Sequence, residues 1–344
     1  MAFINDLGKI IVFLFLLLSF FLITAKSNRK LPDYLFAAFL LVSVIDFSGF
    51  FIPPFNSKII SGAKIASVLL QMPLYYLYVN SAFYYNFKLQ KKHLLHGIPF
   101  LVSLVLLAFT AVAKQHYWVF EIASTLQYYG YILAIFLSLS NFKRLYQENY
   151  SSNHYLTYKW LMQTTILFII GNLFVLTRGF LADNNPIVIQ LYTFTSLYVL
   201  FVISWFVLNA LYRPNLFAGI DKDLEPKYSL DEVKIAPEQL TTILQFMATA
   251  KPYLDDQLTL QKLAAQVNLP EKQLSQLIND HAGKHFFDFI NQFRIDEAKT
   301  LLKDSQLTVL EVLYQVGFNS KSSFYTAFKK ETKTTPTDYR KSIG

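Results

Sequence analysis

Two short stretches near the end of the chain carry small polar and basic side chains on what would be one face of a helix. The first set is Lys272, Ser275, Gln276 and Asn279, and the second is Lys321, Ser322, Tyr325 and Thr326. Amide, hydroxyl and ammonium groups of this kind can hydrogen-bond the edges of bases in a DNA major groove. Each of these residues is equally compatible with a solvated surface. The choice between DNA contact and a solvated surface therefore depends on the helices that carry them.

Those elements are two copies of one short pattern. Leu263, Ala264, Val267, Asn268 and Leu269 precede Leu274 and Ile278, and Val312, Leu313, Val316, Gly317 and Phe318 precede Phe324 and Phe328. The first five pairs are offset by 49 residues and the last two by 50. Each copy predicts a helix, a left-handed residue at Asn268 or Gly317, and a second helix whose apolar face points inward. We therefore expect two helix-turn-helix modules, at about 258–283 and 307–332.

The modules are joined by a predicted helix over residues 286–303 that is apolar on two sides. Phe286, Ile290 and Phe293 share one face, and Ile295, Ala298 and Leu302 fall nearly opposite. A helix with two apolar faces is buried on both. We expect it to be sandwiched between the modules.

At this point the residues resemble the DNA-binding domain of the AraC family of bacterial transcription regulators. The resemblance runs from about Lys251 to Lys341 and is carried by NLPEKQLSQLIND, GKHFFDFINQFRIDEAKTLL and VGFNSKSSFYTAFKKETKTTPTDYR. It implies that the two polar sets above are the DNA-facing positions of two recognition helices. Leu313 stands where the family usually has Ala, and Lys333 stands where it usually has Gly in a turn. Lys333 is therefore expected to take a positive φ.

A dense basic group follows the second polar set. It consists of Lys329, Lys330, Lys333, Arg340 and Lys341. Neutralisation of DNA phosphates is the expected role, and a solvated basic face is the alternative. Residues 212–344 carry 17 basic and 17 acidic residues. We therefore expect one copy to bind weakly, and a homodimer or repeated sites to strengthen binding.

The rest of the chain is strongly apolar. The protein has 344 residues, of which 53% are hydrophobic, and most of these precede Arg213. Seven apolar segments can be drawn, roughly at 8–25, 34–52, 60–87, 94–113, 118–140, 159–180 and 186–211. Because about 20 residues of helix cross a bilayer core, we expect seven transmembrane helices. The alternative for the first segment, a cleaved signal peptide, is disfavoured by its length.

The distribution of charge predicts the orientation of these helices. The net charge of +8 belongs to residues 1–211, which carry 14 basic and 6 acidic residues. The basic clusters lie in alternate loops, beginning with Lys26, Arg29 and Lys30. By the positive-inside rule the N-terminus lies outside and the C-terminus in the cytoplasm of a bacterial inner membrane.

Three domains follow: a transmembrane domain at 1–211, a cytoplasmic linker at 212–236 and a DNA-binding domain at 237–344. The linker is rich in charge, Pro and Gly. Residues 237–250 have apolar side chains at helical spacing, including Ile243 and Met247. This helix could pack on the first module, pair with its copy in a dimer, or serve as a spacer.

Polar residues inside the apolar segments are costly and therefore informative. They are Asp46, Gln71, Asn80, Gln127, Asn172 and Arg178. Some of them are expected to line a cavity that senses a signal. The alternative is hydrogen bonding between helices that only holds the bundle together.

Signals for catalysis are weak. The chain contains no Cys, which excludes disulfides, thiolate metal sites and Cys nucleophiles. His93 with His96, and His281 with His285, lack further ligands at metal-binding spacing. No cofactor, no metal and no enzymatic activity are expected.

The sequence therefore predicts an all-α protein, with a seven-helix transmembrane bundle followed by a cytoplasmic double helix-turn-helix domain of the AraC type. Its expected function is one-component transcription regulation. The expected partners are double-stranded promoter DNA, the lipid bilayer, a second copy, a small-molecule or envelope signal, and RNA polymerase. One alternative is a receptor or transporter whose cytosolic domain is a protein-interaction adaptor. An intramembrane enzyme would need a paired acid and base, and no convincing pair is present.

Overall fold

The computed structural model describes residues 2–26, 29–53, 57–84, 86–109, 117–151, 156–181, 186–212, 237–303 and 306–343. Regular structure in these ranges is helical and includes no strand, which confirms the all-α prediction. Contacts divide the chain into two compact units, Met1–Ser140 with Leu156–Asp223 and Asn141–Tyr155 with Leu224–Gly344. From residue 213 onward, the predicted linker lies outside the described residues.

The described residues of the first unit include eight α-helices, and the sixth of them ends in the second unit. They are α1 Ala2–Thr24, α2 Lys30–Phe47, α3 Lys58–Ala66, α4 Val68–Phe83, α5 Ile98–Phe109, α6 Tyr117–Asn149, α7 Leu156–Gly179 and α8 Pro186–Tyr212. Short 3-10 helices follow α2 at Ser48–Phe50 and precede α5 at Lys91–Gly97.

Six helical stretches in the described parts of the chain are long and apolar enough to cross a membrane. They are Ala2–Thr24, Lys30–Phe50, Lys91–Ala108, Trp118–Asn149, Thr157–Gly179 and Pro186–Tyr212. Each corresponds to one of the predicted apolar segments. Many of their large side chains point outward, and Phe13, Phe20 and Phe201 are 62%, 67% and 65% exposed. Exposed apolar surface of this kind is typical of a face that contacts lipid or another protein.

The predicted third span, residues 60–87, is divided into two helices. α3 has 9 residues and α4 has 16, and each is shorter than the roughly 20 residues that span a bilayer core. The division falls at Ser67, whose hydroxyl donates to the Lys64 carbonyl at 2.7 Å. The Leu70 N–H donates to the Ser67 carbonyl only three residues back, while α4 continues through Pro73. The count of seven spans therefore stays a prediction.

An aromatic core joins four helices of the first unit. Phe36 of α2 is fully buried and stacks on Tyr78 of α4, with 4.7 Å between ring centroids. Phe206 of α8 meets Phe36 edge-on at 5.7 Å. The indole N–H of Trp160 in α7 donates to the Tyr78 hydroxyl at 3.2 Å. Such offset and edge-on ring contacts stabilise packing beyond the area they bury.

The second unit contains seven further helices. They are α9 Pro237–Ala250, α10 Leu260–Gln266, α11 Glu271–Ala282, α12 Phe286–Leu301, α13 Val309–Gln315, α14 Lys321–Thr332 and α15 Pro336–Ile343, with a 3-10 helix at Pro252–Leu254. α10 and α11 form the first helix-turn-helix module, and α13 and α14 form the second.

α12 lies between two separate cores, as its two apolar faces predict. One face contributes Phe286, Phe289 and Ile290 to the core of the first module. The other contributes Ile295, Ala298 and Leu302 to the core of the second. Each module alone is too small to bury its apolar face, so α12 stabilises both.

The two turns adopt the predicted left-handed conformation. Asn268 has a φ of 54° and Gly317 a φ of 84°. The residue after each turn donates its amide to a carbonyl five residues earlier, at 2.9 Å in the first module and 3.1 Å in the second. This bond satisfies a carbonyl that the helix end leaves unpaired. Lys333 also has the expected positive φ, at 64°.

The sequence left three roles open for α9: packing on the first module, pairing in a dimer, or acting as a spacer. In the structure α9 packs on the first module. Ile243 and Met247 are buried in the first core, and Leu240 and Phe246 pack against it. Leu244 remains 40% exposed. α9 is therefore an integral part of the second unit.

Candidate functional site

The first polar set lies on α11, opposite the face that packs on the core. Leu274, Leu277 and Ile278 are fully buried, whereas Lys272, Ser275, Gln276 and Asn279 are partly exposed. The Asn279 amide donates to the Ser275 hydroxyl at 3.5 Å. The Oε1 atom of Gln276 is buried without a hydrogen-bond partner. Its amide group would have to rotate outward to contact a base.

The second polar set lies on α14 and is more exposed. Phe324 and Phe328 fill the core, while Lys321, Ser322 and Thr326 face solvent. Tyr325 is partly buried, and its hydroxyl lies 3.3 Å from the Thr337 hydroxyl. The Lys321 ammonium lies 5.4 Å from the centre of the Tyr325 ring. Tyr325 is thus held between Lys321 and Thr337, whereas Ser322 and Thr326 face solvent without such a contact to the ring.

The five residues of the predicted phosphate-binding group differ in their exposure and contacts. Lys329, Lys333 and Lys341 are exposed. The Lys330 ammonium contacts the Asp288 carboxylate at 2.6 Å. Arg340 is partly buried and donates its Nε–H to the Leu302 carbonyl at 3.2 Å. Arg340 therefore links α15 to the end of α12 by a hydrogen bond. The sequence pattern did not predict this structural role.

The ends of these helices are capped by side chains. Ser320 begins α14 and accepts the Ser323 N–H at 3.2 Å. Thr308 begins α13 and accepts the Glu311 N–H at 3.1 Å, while the Glu311 carboxylate accepts the Thr308 N–H at 2.7 Å. The bonds from Thr308 hold the pKa of Glu311 below its ordinary value. Caps of this kind fix where α13 and α14 begin.

Comparison with known proteins identifies this part of the chain. Residues 263–342 match a family model described as a helix-turn-helix domain. The transcriptional regulator MtrA of Neisseria gonorrhoeae is 33% identical over 90 residues, which cover 26% of this chain and 30% of MtrA. Residues 263–342 are an AraC-type helix-turn-helix domain.

Further relatives match the AraC-type domain in the same way. The transcriptional regulator GlxA of Rhizobium meliloti is 31% identical over 105 residues, which cover 30% of this chain and 32% of GlxA. The transcriptional activator RhaR of Cronobacter sakazakii is 30% identical over 108 residues, covering 31% of this chain and 38% of RhaR. The chain thus spans about a third of the length of these relatives.

Arg294, which the sequence analysis did not single out, is the largest buried side chain of the AraC-type domain. It is 1% exposed and lies on α12, between the two modules. Burial lowers the pKa of Arg294 to about 10, so the guanidinium still carries its charge at neutral pH. α12 carries other polar and charged residues as well, so the sequence pattern alone did not distinguish Arg294. Its partners could not be read from spacing, because they are distant in sequence.

The first unit contains a cavity of about 180 Å³ that brings together three of the six candidate sensing residues. Asp46, Gln71 and Asn172 line it. The Gln71 amide lies 3.5 Å from an Asp46 carboxylate oxygen. The Oδ1 atom of Asn172 is buried without a hydrogen-bond partner. The cavity therefore presents hydrogen-bond acceptors on a largely apolar wall.

The other three candidates have contacts of their own away from this cavity. Gln127 donates to the Leu69 carbonyl at 3.0 Å. Asn80 donates to a carbonyl of its own helix at 2.9 Å. The Arg178 guanidinium lies 4.2 Å from the centre of the Tyr192 ring. The bond from Gln127 of α6 to Leu69 of α4, and the bond of 3.4 Å that the Ser138 hydroxyl of α6 donates to the Asn80 amide oxygen of α4, favour the alternative role of holding helices together.

Proposed function

We propose that this protein is a membrane-bound transcription regulator that binds promoter DNA through both modules of its AraC-type domain. The observation that carries the proposal is the pair of modules on opposite faces of α12. Each module presents polar side chains on the helix that follows its turn. In related docking geometries, such helices enter the major groove about one helical turn of DNA apart.

The apolar helices support a membrane location for the same chain. Side chains such as Phe13, Phe20 and Phe201 are largely exposed, and water would not stabilise that surface. We place the N-terminus outside and the AraC-type domain in the cytoplasm of a bacterial inner membrane, because the basic clusters lie in alternate loops. This orientation gives the domain access to chromosomal DNA.

The experiment that tests the DNA-binding proposal is selection of duplexes from a random library by the full chain in lipid nanodiscs. We expect enriched sequences with two conserved segments spaced by about 10 base pairs. Alanine at Ser322 and Thr326 should relax the preference at one segment, while alanine at Thr249, an exposed position on α9, should not. Recovery of unselected sequences would contradict the proposal and favour the protein-interaction adaptor.

The cavity lined by Asp46, Gln71 and Asn172 is our candidate for signal binding. Its wall is largely apolar and aromatic, and Phe39, Phe168 and other rings contribute. The unpaired Oδ1 of Asn172 requires a donor, because an unsatisfied buried acceptor is costly. A carboxylate ligand would bring only further acceptors to this wall. We therefore propose a small apolar molecule that carries one hydroxyl or amine group.

The proposed action is binding alone, without a covalent step. MtrA, GlxA and RhaR are named as transcriptional regulators or activators, and the proposal carries that role to this chain. A second copy is expected to strengthen binding, because residues 212–344 have no net charge and one copy gains little from the DNA backbone. Contact with RNA polymerase remains part of the same proposal.

A further inference from the structure

The guanidinium of Arg294 is enclosed by oxygen atoms from two distant parts of the second unit. Its Nε–H donates to the Tyr253 carbonyl at 2.7 Å and one Nη2–H to the Asp255 carbonyl at 2.8 Å. The remaining bonds go to Ser151, at 2.9 Å from Nη1 to the carbonyl and 3.2 Å from Nη2 to the hydroxyl. Ser151 thus supplies two of the four acceptors.

The segment that carries Ser151 is held against the AraC-type domain by its backbone. Tyr150 and Thr259 form an antiparallel bridge. The Ser151 hydroxyl donates to the Leu258 carbonyl at 2.7 Å, and Ser151 is only 1% exposed. Thr259 is the N-cap of α10. The segment therefore contacts the residue at which the first module begins.

The second module packs against the same place. A Cβ atom on Gly317, in its turn, would lie 2.7 Å from the Tyr253 carbonyl oxygen and 2.8 Å from that of Leu254. The Phe318 ring centre lies 5.5 Å from the Arg294 guanidinium carbon. Arg294 thus holds a carbonyl, that of Tyr253, on which the turn of the second module rests. The separation of the two modules depends on this arrangement.

We propose that Ser151 is a positioning residue that sets the separation of the two recognition helices. A substitution of Ser151 leaves the backbone carbonyl in place but removes the hydroxyl that accepts from Nη2 of Arg294 and donates to the Leu258 carbonyl, and loss of an acceptor is costly for a buried charged group. Arg294 must then move, and the carbonyls between the modules move with it. Ser151 lies two residues beyond the end of α6. This inference rests on the proposed function.

The docking contact can be tested without DNA, because the chain has no cysteine of its own. The bridge places Tyr150 opposite Thr259, next to the bond from the Ser151 N–H to the Leu258 carbonyl. Opposed residues in such a pair have Cα atoms about 4.5–5.5 Å apart, within disulfide reach. We expect Tyr150→Cys/Thr259→Cys in the full chain to form an intramolecular disulfide under mild oxidation. Little disulfide formation, with both thiols reactive toward maleimide, would overturn the proposal.

The positioning role is tested with Ser151→Leu and Ser151→Ala in the full chain in nanodiscs. We expect Ser151→Leu to weaken binding to a two-segment operator by about tenfold or more, since loss of a hydrogen bond to a charged group has an effect of this size. Affinity for DNA with a single segment should be unchanged, and the footprint should lose one of its two protected segments. Ser151→Ala removes the same hydroxyl without adding a larger side chain at this buried position, and it should give a smaller loss in the same direction.

Thr249→Ala is the matched control, because its hydroxyl bonds only within α9. It should bind as the parent does. If the parent binds a two-segment operator and both Ser151 variants bind it equally well, the positioning role is wrong and the proposed function stands. If the parent selects no DNA sequence, the proposed function fails and this inference falls with it.

Discussion

Asn268 and Gly317 end the first helices of the two modules in the same left-handed conformation, yet only Gly317 lacks room for a side chain. Asn268 is exposed, whereas a Cβ atom on Gly317 would lie 2.7 Å from the Tyr253 carbonyl oxygen. The turn of the first module is thus exposed to solvent, whereas the turn of the second module packs against the Tyr253 carbonyl. The two turns share a backbone conformation and differ in the residues around them.

The first prediction concerns Gly317→Ala. Both the positive φ and the backbone carbonyl oppose the new methyl group, so the second module should open more readily. We expect amide exchange in α13 and α14 of the full chain to accelerate about 30-fold, which corresponds to roughly 2 kcal/mol. Hydrogen exchange followed by mass spectrometry measures this.

Gly283→Ala separates the two causes. Gly283 has a φ of 61°, and nothing lies within 4 Å of a Cβ atom built there. It shares the backbone strain of Gly317 without the contact, so its effect on exchange in α11 and α12 should be clearly smaller. Equal effects of the two substitutions would show that packing at Gly317 is unimportant.

The second prediction is a pH dependence at the start of α13. The pKa of Glu311 is lowered in the folded protein by its bonds with Thr308. The contribution of this carboxylate to stability is therefore present above its unfolded pKa and is lost as the pH falls through the folded pKa. Fraying of α13 should increase below about pH 4, the ordinary range of a Glu carboxyl.

Exchange of the α13 amides, normalised to the intrinsic rate at each pH, measures this fraying. Glu311→Gln should remove the pH dependence. α14 provides an internal control, because its N-cap Ser320 accepts the Ser323 N–H and its first turn contains no acidic residue. A similar acid-induced change at the start of α14 would assign the effect to something other than Glu311.

The third prediction concerns the salt dependence of DNA binding. Lys329→Gln and Lys341→Gln should each reduce the slope of log affinity against log salt by about 1, since each removes one phosphate contact. Lys330→Gln should have a smaller effect, because the Lys330 ammonium is 2.6 Å from the Asp288 carboxylate. Titrations of the full chain at several salt concentrations measure the slopes. Identical slopes for parent and all three variants would assign these lysines to a solvated surface.

The fourth prediction concerns the cavity of the first unit. A phenylalkyl alcohol or amine should raise the thermal midpoint of the detergent-solubilised chain, whereas the corresponding carboxylate should not, because a carboxylate has no donor for the unpaired Asn172 acceptor. Asn172→Leu removes the unpaired acceptor and should abolish the shift. Glu121→Gln, at an exposed position, should leave it intact. A shift with the carboxylate as large as with the alcohol would exclude the proposed ligand class.

Local and repeated features of the fold were predictable from the sequence. The left-handed turns at Asn268 and Gly317 and the two buried faces of α12 follow from residue type and helical period. Contacts between distant residues were not predictable in this way. Nothing in the spacing of Ser151 indicates that it meets Arg294, which is 143 residues away.

The apolar segments illustrate a second limit. Hydropathy treats residues 60–87 as one span, because it does not register the change in backbone hydrogen bonding at Ser67, whose carbonyl accepts the Leu70 N–H only three residues on. Among the candidate sensing residues, position within an apolar segment was the only criterion that the sequence offered. It could not distinguish Asp46, which lines the cavity, from Gln127, whose side-chain amide donates to a carbonyl of another helix.

The central claim is that one chain both resides in the membrane and binds specific DNA. Its most direct test is cross-linking of DNA to the full-length protein in intact cells, followed by separation of membranes and sequencing of the attached DNA. We predict that a small set of promoter segments is enriched in the membrane fraction with the full-length chain, and that the enrichment is reduced by Ser322→Ala/Thr326→Ala. Recovery of no enriched DNA with a correctly folded, membrane-resident chain would contradict the account.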